Sequence, residues 1–132
     1  MISFYIPIRP VPKARARVTS RGFAYTPKRT ADAEKVVASY ARQYIKAPLE
    51  GPVAMILEFC YEVPKSFSKK DREAALSGIL PKTGRPDIDN LGKLCMDSLN
   101  GIAFQDDSQI VRLELAKRYG EKNYVHVQIL TV

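Results

Sequence analysis

A single α+β domain over residues 1–132, a mixed or mostly antiparallel sheet with packed helices, is predicted by three features of the sequence. Segments with apolar residues at period two alternate with segments of helical period. An apolar share of 45% beside a charged share of 27% suits one ordinary hydrophobic core. Gly and Pro fall between the periodic segments, and no repeat or low-complexity tract interrupts them. In order, Ile2, Phe4, Ile6 and Ile8 make residues 2–8 a strand with one apolar face, which Pro10 and Pro12 end. RARVTSRGFAYT then alternates bases with Val18, Phe23 and Tyr25 around Ser20-Arg21-Gly22, as a hairpin or ordered loop would. From Thr30 the residues Ala33, Val36, Val37, Tyr40, Ala41 and Tyr44 follow one helix face, with Asp32 and Glu34 expected in the first turn and Pro48 after the end.

The segment between Pro52 and Pro64 sets Val53, Met55, Leu57, Phe59 and Tyr61 on one face and Glu58 and Glu62 on the other, the clearest strand of the chain. Residues 65–85 open with the helix-permitting run SKKDREAALSG and then pass into a loop, ILPKTGRP, that delivers Lys82 and Arg85 toward the next element. That element is a helix from Ile88 to Asn100, apolar through Ile88, Leu91, Cys95 and Leu99, with Asn100-Gly101 as its stop. Val111, Leu113 and Leu115, then Val125, Val127 and Ile129, predict a closing pair of strands turned at Gly120.

The net charge of +7 is unevenly spread. Residues 1–31 carry seven bases, Arg9, Lys13, Arg15, Arg17, Arg21, Lys28 and Arg29, and no acid, as expected of an arm facing a polyanion. Five of the seven aspartates, Asp87, Asp89, Asp97, Asp106 and Asp107, fall within residues 87–107. Grouped carboxylates repel phosphate unless a metal ion or a proton lies between them, so the two features together predict a metal-dependent enzyme acting on nucleic acid. Two distant cysteines without a CxxC and a lone His126 are too few for a zinc site. No apolar run is long enough for a membrane span, and the N-terminus lacks the basic start and cleavage site of a signal peptide, so a cytoplasmic protein is expected.

Pro86 biases Arg85 away from helix, which sets Asp87 at the loop-to-helix junction and Asp89 in or beside the first turn. Two carboxylates held ~4 Å apart repel by roughly 4 kcal/mol at an effective dielectric of about 20, and a divalent cation removes that penalty. An oxygen-only set suits Mg²⁺ or Mn²⁺. Asp106 and Asp107 can return to this site if their strand pairs beside the helix. Plainer roles exist for each group. Aspartates at a helix start are common caps, Asp89, Lys93 and Asp97 can be solvated helix pairs, and Asp106-Asp107 can cap a turn. Gly92 inside the helix costs ~1 kcal/mol relative to Ala, which suggests close packing, including against another subunit.

Pro86-Asp87-x-Asp89-Asn90-Leu91-x-Lys93, followed by Asp97-x-Leu99 and Asp106-Asp107-x-Gln109, resembles the signature of the RusA-type Holliday junction resolvases, often phage-encoded endodeoxyribonucleases. PVPKARARV at residues 10–18 and YTPKRT at residues 25–30 resemble the opening of many members. The resemblance implies that Asp87, Asp89 and Asp107 are the metal-binding catalytic carboxylates, with Asp106 a further candidate, and Lys93 the catalytic lysine. It also implies Mg²⁺ dependence, a homodimer, and recognition of four-way junctions by structure. PKTGR precedes Pro86 where some members carry an arginine run. Lys13, Arg15, Arg17, Arg21, Lys82 and Arg85 are the expected DNA-binding bases. The alternatives are a non-catalytic DNA-binding protein and a nuclease for flaps or forks.

Overall fold

The computed structural model describes residues 1–132. The strand expected from the alternating run at Val53 is β4 (Val53–Glu62), and it lies inside the main sheet because its inward residues Val53, Met55, Leu57, Phe59 and Tyr61 are all buried. The sheet has four strands in the order β1 (Ile2–Ile6), β6 (Tyr124–Thr131), β4 and β5 (Ile110–Gly120). It is mixed: β4 pairs antiparallel with β6 and parallel with β5. β1 stops at Ile6, short of the expected Ile8, where Pro7 cannot extend the ladder.

Two connections differ from those the sequence predicts. β5 and β6 are not a hairpin, since β4 lies between them. The link after Gly120 passes over the end of β4, where the Val63 N–H donates to the Gly120 carbonyl (3.0 Å) and the Glu62 N–H to the Asn123 side chain (2.8 Å). A strand so apolar gains most with a neighbour on each side, and that outweighs the short connection. The first long helix, α1 (Lys28–Tyr44), begins two residues before Thr30, so Asp32 and Glu34 fall beyond its first turn and Lys28 and Arg29 open it.

The arm between β1 and α1 forms a small hairpin, β2 (Arg17–Val18) with β3 (Ala24–Tyr25), turned at Gly22 with φ 85°. After β4 come α2 (Lys69–Leu76), capped by Ser68, and α3 (Ile88–Leu99). One core of 20 buried residues joins Ala33, Val37 and Ala41 of α1, Leu91, Leu94, Cys95 and Leu99 of α3, and the inward side chains of β1, β4 and β6. Gly92 has a packing reason inside α3: a Cβ there would stand 2.9 Å from a Leu115 methyl of β5. The opposite face of the sheet carries Tyr5 and His126 stacked at 4.0 Å, and the Tyr124 hydroxyl donates to Glu58 (2.6 Å).

Candidate active site

α1 and α3 start at the same end of the molecule. Lys13 ties them together: its N–H donates to the Asn90 carbonyl (2.8 Å), and its ammonium reaches Glu34 of α1 (3.2 Å) and Asp97 of α3 (3.3 Å). Beside it the Ala14 N–H donates to Thr30 Oγ1 (3.2 Å). Burial pulls the Lys13 ammonium toward deprotonation, but the bonds and charges of Glu34 and Asp97 outweigh it and hold its pKa above the ordinary value. Lys13, expected to meet DNA, is thus engaged by two carboxylates as a clamp between the arm and both helices. Asp97 also forms an ion pair with Lys93, four residues before it, at 3.6 Å.

Over the two helix starts opens a cleft of about 430 Å³ lined by Pro12, Lys13, Arg29, Arg85, Pro86, Asp87 and Asn90. Asp87 occupies the N-cap position of α3, yet its side chain makes no capping bond. Its carboxylate is exposed, as are Asp89 in the first turn and Lys93 one turn further on. The loop that presents Asp87 is braced from both sides. Lys117 of β5 donates to the carbonyls of Gly84 (2.6 Å) and Pro86 (3.0 Å), and Lys82 to those of Thr83 (2.8 Å) and Arg85 (3.0 Å). Lys82, expected to bind DNA, is committed to its own loop, whereas Arg85 reaches the cleft. Arg15, Arg17 and Arg21 are exposed on the hairpin arm and take part in no ion pair.

Asp106 and Asp107 do not join this group within one chain. Asp107 opens a short 3₁₀ turn (Asp107–Gln109) at the start of β5, tethered by Gln109 to the carbonyls of Leu49 and Gly51 (2.9 Å each). Asp87 adjoins the other end of the strand, through the bond between Pro86 and Lys117. Ile110 pairs with Val53 and Lys117 with Phe59, so seven strand steps, roughly 23 Å, separate the two ends. β5 does pair beside α3, as a shared site would require, but it runs parallel to β4 and opposite to α3. Asp106 caps the turn, accepting from the Ser108 N–H (3.1 Å), and its bonds with Ser108, first with the side chain and then with the backbone, hold its carboxyl below the ordinary value. No three His, Cys, Asp or Glu side chains gather within the chain as a metal cluster.

Residues 7–130 match the profile of the family described as Endodeoxyribonuclease RusA. The chain belongs to the RusA family. As a RusA protein it is an endodeoxyribonuclease, of a family that resolves Holliday junctions. It is similar to the uncharacterized protein YqaN of Bacillus subtilis (strain 168), 37% identical over 106 residues that cover 72% of this chain and 75% of that protein. It also matches the crossover junction endodeoxyribonuclease rusA of Lactococcus phage r1t, 46% identical over 52 residues, 39% of this chain and 40% of the phage protein. No helix of this RusA chain is long and apolar enough to cross a membrane. Three contributors to its cleft escape the sequence: Arg29, which counts there only among the bases of the arm, and Glu34 and Lys117, whose partners lie 21 and at least 31 residues away. The bases opening α1 are the available signal for Arg29, since cations oppose a helix N-terminus unless an anion is to be bound there.

Proposed function

We propose that this protein is a Mg²⁺-dependent, structure-selective endodeoxyribonuclease that resolves four-way junctions by paired phosphodiester hydrolysis in recombination and repair, acting in the cytoplasm. The observation that carries the reading is the Asp87 carboxylate, which stands at a cap position, caps nothing, and adjoins a cleft whose other charged side chains are Lys13, Arg29 and Arg85. Asp87 and Asp89 would hold the ion, Mg²⁺ or Mn²⁺, through an oxygen-only set that suits a hard cation. When bound, the ion supplies an activated water and offsets charge on the scissile phosphate. Arg29 and Arg85 seat that phosphate, and Lys93 orients the water or stabilises the departing oxygen.

A homodimer completes the site in this reading. The third candidate carboxylate, Asp107, lies at the far end of β5 in the same chain, so a site that includes it must take it from a second copy. β5 is an edge strand of 11 residues with one side of its backbone unpaired. Antiparallel pairing of two β5 strands about a two-fold axis carries the start of each to the end of the other, so that Asp107 of the partner subunit comes to the Asp87 end. The two sites then face opposed strands of a junction, as paired cuts require.

Cleavage of four-way, flap and linear duplex DNA, with and without Mg²⁺, tests the function. The wild-type protein should cut the four-way junction symmetrically and only with the metal. Asp87→Asn and Asp89→Asn should abolish cutting while junction affinity in EDTA persists or rises, because a repelling charge is removed. Preference for flaps would reassign the substrate, and near-normal cutting by the folded variants would end the assignment of these carboxylates.

A further inference from the structure

The braced loop also contributes Lys82 to a second cleft, about 370 Å³, walled by the rings of Tyr61 and Tyr119 and lined by Arg9 and Lys65 as well. The cations are gathered by aromatic faces. The Arg9 guanidinium stands 5.0 Å from the Tyr61 ring centre, and the Lys82 ammonium stands 5.1 Å from the same ring and 5.9 Å from that of Tyr119. Lys117 is close enough to repel Lys82. Burial lowers the pKa of the Lys82 ammonium, and Lys117 and then Arg9 lower it further. None of these four cations takes part in any of the chain's ion pairs. One carboxylate, Glu62, also lines the cleft. Its single charge leaves the region strongly positive, and low-dielectric walls of the kind two tyrosine rings provide concentrate such a field.

We propose that this cleft is a second phosphate site, holding a backbone phosphate of the bound DNA a few nucleotides from the phosphate presented to Asp87. The inference rests on the nuclease reading above and adds a foothold outside the cutting site. Lys82 is five residues from Asp87, a span of at most ~18 Å, and phosphates of one strand follow each other at ~3.4 Å of axis, so a single strand crossing the loop can occupy both clefts. Arg9 and Lys65 supply the donors that are free to move onto a phosphate. Lys82 is held by two backbone carbonyls and contributes mainly charge. A ligand that engages both clefts is also fixed in direction relative to the carboxylates.

Binding of four-way junction DNA in EDTA, where no cleavage is needed, tests the site. The Arg9→Gln/Lys65→Gln double variant should lower the log-log salt slope by about 0.9, for the one phosphate no longer neutralised, while keeping a cooperative unfolding transition. Lys46→Gln, an exposed lysine beyond the far end of α1, should leave the slope as it is. Phosphate-ethylation interference on the same DNA should show a sensitive phosphate near the cut position that becomes insensitive in the double variant, while interference at the cut position remains. A double variant that binds the junction with the wild-type slope and interference pattern overturns the second site and leaves the nuclease reading standing. A wild-type chain that binds no DNA in EDTA overturns both.

Discussion

Lys13 shows how one side chain changes role when its neighbours are known. As a sequence feature it belongs to a basic arm; in the fold it holds Glu34 and Asp97 at 3.2 and 3.3 Å. Lys13→Met leaves those two carboxylates without their shared cation and should destabilise the protein by about 1–2 kcal/mol, measured by denaturant unfolding at pH 7. Because the folded protein raises this pKa above 10.5, the contribution is fully present below about that pH and fades as pH rises through the folded value. The stability gap between wild type and Lys13→Met should therefore stay level from pH 7 to 9 and narrow above pH ~10.5. The thiols make a second test at this scale. Cys60 and Cys95 are both buried, and burial pushes both thiols up, that of Cys95 to about 12. Neither should react with an aromatic disulfide reagent at pH 8 until the protein is unfolded, when two thiols should titrate.

Among the elements, α3 and β5 are set against each other by Gly92. Alanine there gains about 1 kcal/mol of helix propensity but must displace the Leu115 methyls, which sit at the end of a flexible, half-buried side chain. Gly92→Ala should stay within about 1 kcal/mol of wild type, whereas Gly92→Val, bulkier and β-branched, should lower the melting temperature clearly. Gly120 offers the opposite case. It is buried where β5 leaves the sheet, and a Cβ there would collide with the Cys60 sulfur. Gly120→Ala should cost more than Gly92→Ala in the same unfolding experiment, since a short buried thiol on a central strand cannot move aside as a leucine tip can.

At the scale of the whole molecule, the proposed two-fold assembly makes a prediction that a self-contained site does not. Asp107→Asn alone and Asp87→Asn/Asp89→Asn alone should each be inactive. Mixed and allowed to exchange, they form heterodimers in which one site has Asp87 and Asp89 from one subunit and an intact Asp107 from the other. Mixing should thus restore a single nick per junction without paired cutting. Recovery of no activity, with heterodimers present by mass spectrometry, would overturn a site shared between subunits. Sedimentation should show the wild type as a dimer at working concentration, free and on junction DNA.

What was legible in the sequence is what short-range physics controls. The alternation in residues 53–61 and the helical spacing in residues 88–99 each report a local burial pattern, and β4 and α3 appear where those patterns fall. The placement of Asp87 at a helix start, with Asp89 beside it and Lys93 one turn on, is local too, because a proline and a 3.6-residue repeat suffice to set it. The basic arm was legible as composition. Tertiary structure alone decided the strand order, the engagement of Lys13 and Lys82, and the separation of Asp107 from Asp87. These depend on direction and long-range pairing: a helical crossover makes β5 parallel to β4 and opposite to α3, so residues 87 and 107 lie at opposite ends despite their nearness in the chain. No period or cap along a segment records which way it will run beside a partner dozens of residues distant.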